Sequence, residues 1–272
     1  VDRIAIVALT RGYDNINSYE SLIIRNNHIR ECLIYKSNYK FDVILFHEGN
    51  ITLEHQNYIQ KESNLPIQFR DIRTCGNKQA FNDDRNVINM ELCPPTPLSE
   101  QFTVGYKHMC HFWSVGLFEY LADYQYVIRM DEDVFLLDMN PHILETIVSQ
   151  NIKFAMPWLC SVLDDPNVIV GMDVLLNRFC KQNNITMLVD YDQICAPNTN
   201  FVIFDLQYFK NNKIVQDFLT AVDKSHGIYS NRWGDAPIWG IILFALQNEA
   251  VYLCDQIEYY HGSHNHHVNS KK

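Results

Sequence analysis

The stretch Tyr126-Val127-Ile128-Arg129-Met130-Asp131-Glu132-Asp133-Val134 decides the fold class. A β-prone run leads into an acidic tripeptide, and Phe135-Leu136-Leu137 continue beyond it, so the acids sit between buried segments and not on an open loop. In open α/β sheets, ligand crevices lie at the carboxyl ends of buried strands. Asp131 and Asp133, flanking one residue, are therefore candidate ligands for Mg²⁺ or Mn²⁺, cations able to bridge the oxygens of a diphosphate. The competing reading is two solvated turn residues, because a bare Asp-x-Asp is common.

Upstream, Arg3 to Leu9 is an apolar run ending in Thr10-Arg11-Gly12, which reads as a buried strand and a turn. Asn17 with Glu20 resembles a capping box, and Leu22, Ile29 and Leu33 then mark a helix face. Phe41 to Phe46 supplies the next strand, and strand, helix, strand implies a parallel sheet with a right-handed crossover. From about Cys75 to Leu98 the pattern dissolves into polar residues and Pro94, Pro95 and Pro97, which suits a long surface excursion. Tyr106, Met109, Trp113, Leu117 and Tyr120 mark a helix feeding the Tyr126 strand.

Downstream, Asn140 and Pro141 read as N-cap and first position of a helix. Asn200 to Phe204 is a strand, and Val215, Phe218, Leu219 and Val222 form a helical stripe. Arg232-Trp233-Gly234-Asp235-Ala236-Pro237 opens an apolar helix, Ile238 to Leu246, that has no polar face and must be buried. Ala250 to Leu253 reads as the last strand, with Tyr259-Tyr260-His261 following it.

At 272 residues and 47% hydrophobic, the chain suits a single α/β domain. The expected architecture is a Rossmann-like central mixed sheet flanked by helices, with a nucleotide-binding half to about residue 135 and an acceptor-binding half from about 136 to 272. With 32 Asp plus Glu against 22 Lys plus Arg and no basic cluster, nucleic acid is not an expected partner. No apolar run reaches the roughly 20 residues that cross a bilayer, so no membrane contact is expected of this chain. It starts at Val1 and not Met, and an upstream segment such as an anchor is expected. Eight cysteines without a CxxC pair suggest neither a zinc ribbon nor a thioredoxin-like site. Sequons at Asn50 and Asn184 are compatible with a secretory route.

His261 is a candidate third metal ligand, since a neutral imidazole suits Mn²⁺, whereas His264, His266 and His267 read as solvent-exposed. Asp235, at a helix start, is either an N-cap or a catalytic carboxylate facing sugar or acceptor, and the two roles are compatible. Arg11 is a candidate nucleotide contact and Arg129 a candidate ion-pair partner of the metal carboxylates. Of the four tryptophans, Trp233, beside a glycine, is the candidate for packing on a sugar ring.

Tyr106-Lys107-His108-Met109-Cys110-His111-Phe112, Arg232 to Pro237 and Tyr259-Tyr260-His261, in this order and spacing, resemble the fungal α-1,2-mannosyltransferase family, the Kre2/Mnt1-like glycosyltransferases of GT-A fold. The resemblance runs from Tyr106 to His261, while the first hundred residues agree only in pattern. It implies a GT-A-type domain, retaining transfer of mannose from GDP-mannose onto a glycan or glycoprotein acceptor, and His261 as a manganese ligand. Tyr106 joins Arg11, Arg129 and Trp233 among the expected donor contacts. It also implies a Golgi lumenal setting, although a cytosolic protein, including a viral one, would read the same.

Two departures stand out. The family's usual Glu-Pro-x-Val appears as Asp131-Glu132-Asp133-Val134, which strengthens the metal assignment. The Asn-Phe-Glu-Ile strand, whose glutamate is a proposed nucleophile, appears as Asn200-Phe201-Val202-Ile203. Either another acid such as Asp235 serves, or transfer proceeds on one face through an oxocarbenium-like state. The alternatives are another donor sugar, an inactive carbohydrate-binding relative, and a metal-dependent nucleotidyltransferase or phosphatase.

Overall fold

Strands β1 (Ile4–Leu9), β2 (Phe41–His47) and β4 (Tyr126–Met130) form because each carries a largely apolar or β-branched run, as strands covered on both faces require, whereas β3 (Ile67–Asp71) alternates apolar and polar residues at the edge of the sheet. They lie parallel in the order β3-β2-β1-β4. The computed structural model describes residues 3–72, 95–247, 251–263 and 266–269, the last four by backbone only. The predicted excursion from Cys75 lies largely outside the described residues, as do Ala250 and the side chains of His264, His266 and His267.

The small β5 (Val134–Met139) leaves the main sheet, which continues through β6 (Phe154–Met156), β7 (Phe201–Asp205) and β8 (Val251–Leu253). The full order is β3-β2-β1-β4-β7-β6-β8, with β7 antiparallel to β4 and to β6, so this seven-stranded sheet is mixed, as expected. Alternate residues of one strand feed two cores. Val7, Val127, Val202 and Phe204 pack on the face holding Trp113, Trp233 and Trp239, whereas Ile6, Ile128, Phe201 and Ile203 face Leu22, Ile29 and Leu33.

The helices are α1 (Glu20–Ile29), α2 (Leu53–Ser63), α3 (Val104–His111), α4 (Leu117–Tyr120), α5 (His142–Ser149), α6 (Met172–Asn183), α7 (Leu206–Asn211), α8 (Lys213–Ser225), α9 (Gly227–Asn231) and α10 (Asp235–Ile241). The helix predicted through Tyr106 and Tyr120 is α3 and α4 joined by a π turn over Phe112–Gly116, and α10 runs on through a second π turn at Ile242–Leu246. Two helix starts differ from expectation. Asn15, not Asn17, is the cap before α1, because its side chain accepts from the Asn17 backbone N–H and opens a 3₁₀ turn over Ile16–Tyr19. Gly234 precedes α10, so Asp235 is inside its first turn and makes no capping bond.

Leu253 does not end the sheet structure, contrary to expectation: β9 (Ile257–His261) and β10 (His266–Asn269) form a second sheet ordered β10-β9-β5. Ile257, Tyr259 and His261 point inward while Glu258 and Tyr260 are partly exposed, a period of two. The antiparallel register pairs Val134 with His261, which carries the imidazole to the residue beside Asp133.

Candidate active site

β4 stops at Met130, and a tight turn, with Val134 N–H donating to the Asp131 carbonyl at 3.1 Å, sends the chain into β5. Beneath it lies Arg25, fully buried, donating to the carbonyls of Met130 at 2.7 Å and Val7 at 3.4 Å. Burial lowers its pKa to about 10, a shift opposed by the charges of Asp131 and Glu132. A cation under two strand tips thus fixes the backbone from which the acids project.

Asp133 and His261 meet: Nε2 stands 3.3 Å from Oδ1. Oδ2 accepts from the Ser263 backbone N–H at 2.8 Å and also from its hydroxyl. Burial alone would raise the Asp133 pKa, but the hydrogen bonds from His261 and Ser263 outweigh it and hold the carboxyl well below the usual range. On its other side, His261 Nδ1 stands 2.8 Å from the Asn200 amide nitrogen.

Asp131 is turned away from this pair. Arg129 Nε donates to its Oδ1 at 3.0 Å, and Arg129 Nη1 binds Asp235 Oδ2 at 2.5 Å. The same guanidinium lies 4.3 Å from the centre of a Trp113 ring. Burial pushes the Asp131 carboxyl up against the pull of Arg129; for Arg129 the two carboxylates overcome burial and hold the cation more firmly charged than usual. The predicted ion pair of Arg129 is therefore present, but it serves two acids and engages Asp235, for which the sequence pointed to an N-cap or a sugar contact.

Asp131 and the Asp133–His261 pair border a cavity of about 590 Å³, within the usual range for small-molecule sites. Asp131, Asp133, His261, Arg11, Tyr106 and Trp113 are on its wall. A second chamber of about 340 Å³ adjoins it, reached by Thr10, Glu48 and Thr103 and sharing Arg11, Tyr106 and Glu132 with the first. Glu132 stands at the partition: Arg11 Nε donates to it at 3.2 Å and the Thr10 hydroxyl at 2.6 Å. Tyr106 is held by Arg232, whose Nη2 donates to its hydroxyl at 2.9 Å, and burial raises that phenol to about 12.

Three predicted site residues are elsewhere. Trp233 is fully buried, donates to the Val170 carbonyl at 3.1 Å and packs so tightly on Gly227 that a methyl there would come within 2.4 Å of its ring; it is a core residue with no face for a sugar. Arg129 and Asp235 are buried behind Trp113 and are not on the wall of either chamber. Val202, opposite Arg129 in the β4–β7 register, is likewise buried. Glu132, Ser263 and Asn200 went unread in the sequence; Asn200 stood in a quoted motif, while Glu132 passed as a spacer between the two aspartates.

Among the described residues, no three His, Cys, Asp or Glu side chains are already gathered as a metal-ligand set. The donors fit Mn²⁺ all the same: a carboxylate held ionised by its neighbours touches an imidazole on the wall of the cavity, and a second carboxylate borders it.

Solved structures share this architecture. Core-mannan synthase A (CmsA/Ktr4) from Aspergillus fumigatus, in a Mn/GDP form, superposes with a TM-score of 0.75 at 22% identity, over 95% of this chain and 74% of that one. The mannosyltransferase Ktr4p from S. cerevisiae gives 0.76 at 18% identity, over 95% and 70%. The fold is GT-A, as the resemblance implied. Among curated proteins, the probable mannosyltransferase MNT3 of Candida albicans is 28% identical over 170 residues, which are 58% of this chain and 44% of that protein. The matched part thus spans less than half the length of that relative. The family model described as glycolipid 2-α-mannosyltransferase matches residues 31–271, well beyond the Tyr106 to His261 span legible in the motifs, and the chain belongs to that family.

Proposed function

We propose that this chain is a Mn²⁺-dependent mannosyltransferase domain that moves mannose from GDP-mannose to a glycan or glycoprotein acceptor with retention. The observation that carries this reading is the Asp133–His261 contact on the wall of a cavity at the carboxyl end of β4, with Asp131 beside it. Asp133 and His261 would hold the ion, joined by Asp131 on release from Arg129. What Mn²⁺ supplies when bound is positive charge against the diphosphate leaving group.

The chain's own residues divide the remaining work. Arg11, mostly exposed, paired through Nε with Glu132 and lying 5.8 Å over the Tyr13 ring, can turn its remaining nitrogens onto a phosphate. Tyr106, anchored by Arg232, offers a fixed ring edge where the two chambers join. The segment to about residue 135 supplies the nucleotide side, and the rest the acceptor side. Val202 brings no nucleophile, and Asp235 is buried against Arg129, which favours transfer on one face of the sugar over a covalent intermediate. Exposed Asn50 and Asn184 in sequons support a secretory, Golgi-type setting. No helix among the described residues is long and apolar enough to cross a membrane.

A thermal-shift screen of nucleotide sugars with and without Mn²⁺ tests the proposal. A ligand at 100 times its Kd adds about 2.7 kcal/mol to native-state stability. GDP and GDP-mannose should raise Tm in Mn²⁺ and not in EDTA, and mannosyl transfer should vanish in the Asp131→Ala, Asp133→Ala double variant. Full transfer by that variant removes the metal assignment. Val202 favours one second reading, a binding protein without turnover; glycan binding that needs neither nucleotide nor Mn²⁺ would establish it.

A further inference from the structure

Behind His261 runs a chain of buried hydrogen bonds that the transfer reaction itself does not use. The Asn200 amide nitrogen faces His261 Nδ1 at 2.8 Å, and its oxygen accepts from the Tyr259 hydroxyl at 2.9 Å. The Tyr259 oxygen accepts from Trp158 Nε1 at 3.2 Å and from the Asn198 amide nitrogen at 3.1 Å. Tyr259 is fully buried, and Asn200 and His261 nearly so.

The direction of each bond follows from its neighbours. An indole N–H only donates, so Trp158 fixes one end. With both lone pairs of Tyr259 taken by Trp158 and Asn198, its O–H must point at the Asn200 oxygen, which leaves the Asn200 amino group facing His261. Nδ1 is then an acceptor, and a neutral imidazole carries its one proton on Nε2, directed at Asp133. In that form Nε2 has no lone pair for a metal. Turning both amides over gives a second complete arrangement: His261 Nδ1–H donates to the Asn200 oxygen, Asn200 donates to Tyr259, Tyr259 donates to Asn198, and Nε2 is bare. The two arrangements use the same side chains, but the second leaves Nε2 without a proton opposite the Asp133 carboxylate, a mismatch that a bound cation would relieve.

We infer that Asn200 is a positioning residue that sets which nitrogen of His261 carries the proton, and thereby the affinity of the site for a divalent cation. The inference rests on the proposed metal role of His261. A ligating histidine is oriented by the partner of its other nitrogen, and loss of such a partner costs about 10- to 100-fold in metal affinity. Asn200 is unusual as that partner because an amide serves either tautomer, whereas a carboxylate can only accept.

Asn200→Asp should hold a proton on Nδ1 and so leave Nε2 as the nitrogen that can take a cation, while Asn200→Ala should remove the partner altogether. Imidazole ¹⁵N shifts of the metal-free protein should report a proton on Nε2 and none on Nδ1 in the parent, and a proton on Nδ1 in Asn200→Asp. Mn²⁺ titration followed by the resonance of the free ion should show Asn200→Asp binding at least as tightly as the parent and Asn200→Ala about 10- to 100-fold more weakly. A structural role alone would weaken both variants alike, in line with their melting temperatures, and that result overturns the inference. An Nδ1 that stays unprotonated in Asn200→Asp overturns it too, even where Mn²⁺ binds normally. A parent that binds no Mn²⁺ removes the metal reading instead, and this inference with it.

Discussion

Arg129 is the cation on which the interior behind the cleft depends, and Arg129→Met isolates that dependence. The side chain is 5% exposed and its partner Asp235 9%, whereas Asp131 at 27% can rehydrate once released. The loss therefore falls on Asp235, left charged and unpaired in the core. Removing one member of a buried pair costs about 3–5 kcal/mol, a figure that absorbs the lost stacking on Trp113 because Met fills much of the same space. At about 2–4 °C per kcal/mol for a domain near this size, Tm should fall by roughly 6–20 °C. Urea unfolding followed by circular dichroism, in EDTA, gives the free energy directly. Asp235→Asn in the same background should restore most of the stability, since a neutral amide is far less costly to bury than a lone carboxylate. An Arg129→Met protein within about 1 kcal/mol of the parent, or a double variant no better than the single, would refute the assignment of Arg129 as the charge that neutralises Asp235.

Two further outcomes are expected. Asp133, held below the ordinary carboxylate pKa of about 3.9 in the folded chain, contributes stability that is present above about pH 4 and fades as pH falls through its lower folded value. In EDTA, the stability gap between the parent and Asp133→Asn should be present at neutral pH and narrow on acidification below about pH 4; a gap that widens there contradicts the hydrogen-bond account. Gly227→Ala should cost about 1–3 kcal/mol by overpacking, because its methyl would stand 2.4 Å from the buried Trp233 ring, and a neutral result in a melting experiment would mean that the ring has room to move.

The central strands were legible because burial on both faces writes an unbroken apolar run, as in Ile4 to Leu9 and Tyr126 to Met130. β9 was not, since its inward residues alternate with Glu258 and Tyr260 over only five positions. The types and positions of Asp133 and His261 pointed to a shared site, and the β5–β9 register brings them together. What no local pattern could convey is that Arg129, legible as the ion-pair partner of Asp131 two residues on, is also engaged by Asp235 arriving on α10 from 106 residues away. Trp233 misled for a similar reason: Gly234 beside it suggested an open ring face, but the glycine that accommodates the ring is Gly227, six residues earlier in the chain.

The small sheet also governs timing. Ser263 binds Asp133 from 130 residues further along the chain, just beyond the strand that carries His261. At about 5–20 residues per second, roughly 7–26 s separate the emergence of Asp133 from that of Ser263. Throughout that interval the nascent polypeptide has its acidic turn but lacks the groups that hold the carboxylate ionised, so a chain that has not yet reached β9 cannot assemble the pair.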